Sequence, residues 1–450
     1  MSKKSFVIGE DAIHDAKQLS VAKILILGLQ HVFAMFGATV LVPMLTGLSI
    51  STTLLMAGLG TLLFHIITKG KVPAFLGSSF AFLGGYASVA PMIKVYAEDG
   101  ETVIGQLPNK ELLPYACGGV LIAGLVYVVL AGLIRLFGTN VVMRFFPPVV
   151  TGPIIIAIGL ILAPSAITNC SENWLLAIVA LVVIIICNIW GKGMVKIVPI
   201  MIGIVASYIV AVCIGAVDFK GVQEAKLIAS PIHTSEFAKF SVSSIITIVP
   251  IALATMMEHI GDISAIGATT GKNYIKDPGL HRTLIGDGLA TTLSAFFGGP
   301  ANTTYGENTG VLALTKVYTP IVMQVAAGFA ILLSFFPVVE EFIRSIPTAT
   351  IGGVSLILYG MISAIGIRNV VENQVDFTKS RNLIIAAVIL VSAIGFNSAG
   401  GIKFSVFSAE ITLSGLAIAA LAGIILNAIL PGNEYVFDDE EKQDELTFKL

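Results

Sequence analysis

Residues 298–317 read GGPANTTYGENTGVLALTKV, and whether they form one ordinary helix decides the fold. Pro, Gly, Asn and Thr break the stretch, and Glu307 sets a carboxylate between apolar runs. A second stretch, KVPAFLGSSFAFLGGYASVAP at 71–91, is broken in the same way. Lipid cannot satisfy free N–H and C=O groups, so non-helical backbone at membrane depth must be buried in protein or line a cavity. Two interrupted segments at matching places in a chain point to a central site between them. The expected geometry is two short extended strands, each leading into a half-helix. The N-terminus of each half-helix then aims unpaired N–H donors and a positive dipole end at the midplane.

The surroundings support a bilayer as solvent. Of 450 residues, 56% are hydrophobic and 12% charged, where an ordinary soluble domain carries about 25% charged residues. Apolar runs recur along the chain, each long enough to cross a hydrocarbon layer about 30 Å thick. The net charge of −2 and the scatter of the cations exclude a nucleic-acid footprint. Cys117, Cys170, Cys187 and Cys213 stand singly, without metal-ligand spacing, and read as small apolar filler. No metal or cofactor is expected.

The candidate spans are 21–46, 51–68, 72–92, 112–135, 140–163, 173–190 and 194–216, then 241–262, 283–299, 301–316, 318–339, 347–366, 382–398 and 408–430. The interrupted spans are thus the third and the tenth. Residues 1–20 contain no apolar segment of a cleavable signal and read as a cytoplasmic tail. Residues 217–240 read as an extracellular linker, and the acidic residues 431–450 as a second cytoplasmic tail. On a fourteen-span topology with both ends inside, 19 of the 26 Lys and Arg fall on the cytoplasmic side, the sense of the positive-inside rule. The expected location is the cell membrane, crossed many times.

Two sets of seven spans also resemble each other. Arg144, Pro147 and Gly152 recur at the same spacing as Arg344, Pro347 and Gly352. After seven crossings a second copy enters from the opposite face, so the repeats, 21–216 and 241–430, are inverted. The fold class expected is an all-α polytopic membrane protein of fourteen segments in a 7+7 inverted repeat.

A carboxylate near the middle of a membrane helix costs roughly 2.5–3.5 kcal/mol on insertion scales, so such acids face a cavity and act there. Glu307 has company in EHIGD at 258–262, where Glu258 and Asp262 share a helix face at i, i+4 with His259 beside them. Carboxylates accept hydrogen bonds and backbone amides donate them. Together they suit a small flat solute with alternating N–H and C=O groups along its edge, as in a pyrimidine or purine base. A carboxyl taken out of water can also bind and release a proton near neutrality, so one group can hold solute and carry coupling.

The sequence resembles the nucleobase/ascorbate transporter family, and its uracil-type members in particular. The likeness runs from QHVFAMFGATVLVP at 30–43 to SLILYG at 355–360, through KVPAFLGSSFAF, EHIGD, DPGLHR and NTTYGENTG. The signature of an acid, Gln or Pro before N-x-G-x-x-x-x-T and a basic residue stands here as ENTGVLALTK. The resemblance implies core and gate domains, a homodimer, and proton-coupled import of a nucleobase. It implies that Glu258 and Glu307 hold the edge of the base and that Phe80 and Gly306 donate backbone N–H groups to it. Ala38, Tyr305 and Tyr359 match positions near the base, and Asn308 a residue that supports the site. Uracil-type members often have histidine where this chain has Asp262, which puts the coupling network of Glu258, His259, Asp262 and Glu307 in question.

Two other readings compete. One keeps the architecture with a purine such as xanthine, or an anion, as solute. The other is an intramembrane hydrolase built from Ser78 or Ser79 with His259 and Asp262. Lesser signals are incidental: GATTGK at 267–272 is one residue short of a phosphate loop, and the glycosylation pattern at Asn302 falls inside an interrupted span. The pairs Gly84–Gly85 and Gly118–Gly119 suit close helix packing.

Overall fold

The computed structural model describes residues 12–96, 103–138, 141–142, 144–406 and 409–432. Residues 1–11 of the expected N-terminal tail and 433–450 of the acidic tail lie outside the described residues. The remainder is mostly helical. Helices run at Val21–Thr46 (α1), Ile50–Ile67 (α2), Leu83–Val89 (α3), Leu113–Phe137 (α4), Pro148–Ser171 (α5), Trp174–Trp190 (α6) and Pro199–Cys213 (α7). The second half holds Val242–Ile248 (α8), Ile251–Thr270 (α9), Leu280–Phe296 (α10), Gly306–Thr315 (α11), Pro320–Ser334 (α12), Thr348–Glu372 (α13), Ser380–Ser398 (α14) and Gly415–Ile429 (α15). Among the described residues, seven helices are long and apolar enough to cross a membrane. An eighth follows if α12 and the short helix Pro337–Arg344, bent by 83° from it, count as one.

Local chemistry fixes many of the ends. Ser20, Ser49, Asn173, Ser241 and Ser414 each cap a helix by accepting from a first-turn N–H, and Gly47 ends α1 in the left-handed region. Pro148 opens α5 eight residues later than the sequence reading put that span, since proline suits the first helical position. Helix α9 runs two turns past Asp262, which therefore sits inside a helix and not at its frayed end. Residues 408–430, read as one span, divide into a strand, Ala409–Leu413, and α15. The alternating, β-branched AEITL favours extended backbone up to the Ser414 cap.

Strands are few. β1 (Leu76–Ser78) pairs antiparallel with β4 (Asn302–Thr304) in the middle of the molecule. Hairpins β2–β3 (Ile93–Tyr96, Val103–Leu107) and β5–β6 (Ile402–Val406, Ala409–Leu413) join α3 to α4 and α14 to α15.

The helices pack in two groups. Around the central strands, α4 packs on α10, α12 on α2, α2 on α10, α1 on α12, and α8 on α4. Beside them, α5 packs on α13, α14 on α5, α13 on α6, α6 on α7, and α14 on α15. The α5–α13 pair is close because of two glycines. A Cβ on Gly152 would lie 2.3 Å from Val370, and one on Gly352 would lie 2.5 Å from the backbone nitrogen of Cys170. Each early turn thus presses on the far end of the other helix, the small-residue contact that membrane helices use in place of a hydrophobic driving force. Residues 217–240 hydrogen bond over the ends of the first group, from Lys239 N to Pro114 O (2.9 Å) and from Ala238 N to Phe296 O (3.1 Å).

Candidate functional site

The site is built on the strand crossing. Leu76, Gly77 and Ser78 face Thr304, Thr303 and Asn302. Two threonines complete the strand edges: Thr61 of α2 accepts from Leu76 N (2.9 Å), and Thr291 of α10 accepts from Asn302 N (3.2 Å). Gly77 is required where it stands, because a Cβ there would lie 2.5 Å from the ring of Tyr305. The Tyr305 hydroxyl donates to Ser78 O (2.9 Å) and accepts from Thr39 Oγ1 (3.3 Å). Tyr305 is therefore a staple beneath the strands.

Past the strands the chain turns helical on each side, at Phe80 and at Gly306. Ser79 and Tyr305 occupy the cap positions, and neither side chain bonds the first-turn N–H groups. The cap residues leave those donors to other partners, as half-helix ends aimed at a ligand require, and in α11 the Glu307 carboxylate turns back toward its own N–H. Gly306 is exposed and Glu307 partly so. Both line a cavity of about 490 Å³, together with Phe33 and Gly37 of α1, Lys196 and Met361. That size lies within the usual range for small-molecule pockets.

The acids gather around Gly306. A Cβ built there would lie 3.7 Å from Asp262 Oδ1. Glu258 and Asp262 stand one turn apart on α9, which packs against α11, the helix that carries Glu307. Asp262 accepts from Thr304 Oγ1 (2.9 Å), whose other neighbour is His259 Nδ1 at 3.4 Å. His259 is fully buried, and its Nδ1 also lies 3.4 Å from Asp287 Oδ2. Asp287, on α10, is a residue the sequence reading missed. It carries the same signal as Glu307, an acid in an apolar span, and neither of its carboxylate oxygens has a hydrogen-bond partner in the structure. Asn308 donates to His31 O (3.2 Å) and meets His31 Nδ1 at 3.1 Å, which ties α11 to α1 and makes His31 a second residue the sequence reading passed over.

The other named residues are more dispersed. Phe80 packs against both large hydrophobic clusters. Ala38 is buried on α1 and offers its carbonyl to Ser78 Oγ at 3.4 Å. Tyr359 is buried in the α5–α13 pair, its carbonyl 2.2 Å from where a Gly159 Cβ would be. The Ser78 hydroxyl donates to Thr39 O (2.8 Å), and the oxygens around His259 belong to Thr304 and Asp287, so no serine is aligned on the histidine. Asn302 is buried and held to Met56 O at 2.9 Å. Gly85, Gly118 and Gly119 touch neighbouring segments as packing glycines do, whereas nothing lies within 4 Å of a Cβ on Gly84.

Known proteins bear on this geometry. The sequence profile described as Permease family matches residues 22–399. A uracil permease of Bacillus caldolyticus is 41% identical over 441 residues, covering 95% of this chain and 96% of its own. A uracil permease of Bacillus subtilis (strain 168) is 42% identical over 420 residues, covering 90% and 91%. The transmembrane domain of the cyanobacterial bicarbonate transporter BicA has a similar fold, with a TM-score of 0.58 at 14% identity, covering 93% of this chain and 99% of that one.

Proposed function

Because the chain belongs to the Permease family and is a multi-pass membrane protein, we propose that it imports uracil, or a closely related pyrimidine, by proton symport and alternating access. One observation carries this reading: Glu307 and the first turn of α11 form part of a cavity wall, with Asp262 against Gly306 and Glu258 one turn before Asp262 on α9. A carboxylate accepts from the N–H groups of a pyrimidine edge, and the N–H groups of Gly306 and Phe80 donate to its carbonyls. Glu258 and Glu307 hold the base. Asp262 takes the place of a histidine in the coupling network with His259, while Asn308 supports the site. Ala38, Tyr305 and Tyr359 shape its surroundings. The names of the most similar relatives support uracil as the solute.

We assign residues 21–216 and 241–430 to two inverted repeats of seven spans, and 217–240 to an outer linker. The tails 1–20 and 431–450 then lie in the cytoplasm. The packing supports this. Exchanging the halves turns α4–α10 into α12–α2, α1–α12 into α8–α4, α14–α5 into α6–α13 and α6–α7 into α14–α15, all of which are packed pairs, while α5–α13, α2–α10 and β1–β4 map onto themselves. The group around the strands is the core and the other the gate; a homodimer follows from the family resemblance.

The test is uptake of labelled uracil into proteoliposomes with an inward proton gradient, repeated with a protonophore. Accumulation that vanishes with the gradient is expected. Uptake no greater than in empty vesicles would remove uracil as the solute, and competition by unlabelled xanthine would redirect the reading to purines.

A further inference from the structure

The strand ladder is centred on the Gly77–Thr303 pair, with Ser79 N bonded to Ala301 O on one side and Tyr305 N to Phe75 O on the other, so a two-fold through that pair relates the two interrupted segments. Leu76, Gly77 and Ser78 pair in reverse with Thr304, Thr303 and Asn302. A two-fold exchange of β1 and β4 therefore sets Leu76 on Asn302 and Ser78 on Thr304. Carried forward at the same offset, Ala81 falls on Glu307 and Gly84 on Gly310. Glu307 and Gly310 line the cavity of about 490 Å³. Ala81 and Gly84 line a crevice of only about 10 Å³, between α3, α5 and the start of α15.

The correspondence covers the other walls. The large cavity also takes Asn188 near the end of α6, Pro199 at the start of α7, and Met361 of α13. The crevice takes Asn397 near the end of α14, Leu416 at the start of α15, and Ile158 of α5. These helices are the ones that exchange under the repeat. The two asparagines lie in matching N-x-x-G sequences, Asn188 to Gly191 and Asn397 to Gly400. One wall plan thus occurs twice, once open and once collapsed.

We propose that this crevice is the closed half of the permeation path, through which solute reaches the site from the face opposite the cavity mouth. The inference rests on the transport reading. Strand β6 closes the crevice: the hydroxyl of Thr247 of α8, in the core, lies 2.6 Å from Thr412 O, two residues before Ser414 in the crevice wall, and 2.9 Å from Ser243 O of its own helix, and the shorter contact is the one that crosses to β6. Opening that face requires the bond to break, so Thr247 sets the balance between the two states. An alanine in place of the acid makes the path apolar at Ala81, so solute passes it without a second binding site.

Accessibility of engineered thiols tests this without any solute. In a Cys213→Ser background, Gly84→Cys reports the crevice and Ala313→Cys the open cavity; Cys117, Cys170 and Cys187 are buried. With a membrane-impermeant maleimide on oriented vesicles, the two cysteines should react from opposite faces, Gly84→Cys at least tenfold more slowly. Thr247→Val should raise the Gly84→Cys rate about threefold, the effect of one lost hydrogen bond, and Thr247→Ser should leave it unchanged. Reaction of both cysteines from the same face, or a Gly84→Cys rate indifferent to Thr247→Val, would overturn the proposal. Opposite-face reactivity in a protein that fails to take up uracil would retain the path and remove the solute.

Discussion

Segments 76–89 and 302–315 use one backbone device for two purposes. Each has three residues of strand, a cap position without a capping side chain, and a helix that starts in the middle of the molecule. The first carries Ala81 and faces a crevice; the second carries Glu307 and faces a cavity. The remaining acids, Glu258, Asp262 and Asp287, also come from the second half, on α9 and α10. Under the proposed repeat, a symmetric frame provides two routes and the acids are confined to one copy. A single site that both routes share needs this asymmetry, since two acidic copies would bind solute twice.

The sharpest break of the comparison is Glu307→Gln. Uptake should fall by a hundredfold or more, with unchanged abundance in the membrane, because the variant keeps the shape but loses an acceptor that a buried polar edge cannot replace. The exchange Glu307→Ala with Ala81→Glu should not restore it, since Glu307 lines the large cavity whereas Ala81 lines only the narrow crevice. Recovery of uptake in that double variant would mean that the copies are chemically interchangeable. Next in size is Thr304→Val, which deprives Asp262 of its donor at 2.9 Å. A hydrogen bond contributes about 0.5–1.5 kcal/mol net, so KM should rise about threefold to tenfold, and Thr304→Ser should restore it. Unaltered KM in Thr304→Val would remove the threonine from the site.

A smaller contrast concerns stability. Gly77→Ala drives a methyl to 2.5 Å from the Tyr305 ring and should cost about 1–3 kcal/mol as overpacking. Its equivalent under the exchange is Thr303, which already carries a side chain; Thr303→Ala should cost less than about 1 kcal/mol. Thermal denaturation in detergent separates them. Equal losses would mean that the crossing is less tightly packed than the geometry shows.

Much of this was legible before the structure. Pro, Gly and Asn within apolar runs marked both interrupted segments, and Glu307 and the i, i+4 acids marked the candidate site, because each breaks a rule that lipid enforces. Asp287 escaped although it lies inside the span read at 283–299, because no second acid stands one turn away on its helix, as Asp262 does for Glu258. Its meaning comes from His259 on another helix, a contact that no spacing along the chain reveals. The strand pairs β2–β3 and β5–β6 escaped because strands of four or five residues lack the long periodic signal of a span. In the sequence, the proposed repeat rests on only three matched residues, Arg144, Pro147 and Gly152 against Arg344, Pro347 and Gly352. Its clearest traces, the exchange of helix partners and the paired asparagines, depend on contacts between halves about 200 residues apart in sequence.

Tyr305→Phe gives the smallest effect and separates support from chemistry. Its hydroxyl holds Ser78 O and meets Thr39, all in buried surroundings away from the cavity lining. Losing it leaves one strand carbonyl short of a donor at a cost of about 1 kcal/mol, and the melting temperature should drop by on the order of 1 °C in a protein of this size. Uptake should stay within about twofold of the parent, since one such bond shifts an equilibrium only modestly. The equivalent position in the first segment is Ser79, which lacks any such staple; its hydroxyl is buried without a partner. If Tyr305→Phe instead lost uptake as fully as Glu307→Gln, the phenol would belong with the acids as a contact to the solute, as the family resemblance suggests for that position. The second segment would then differ from the first by two chemical groups instead of one.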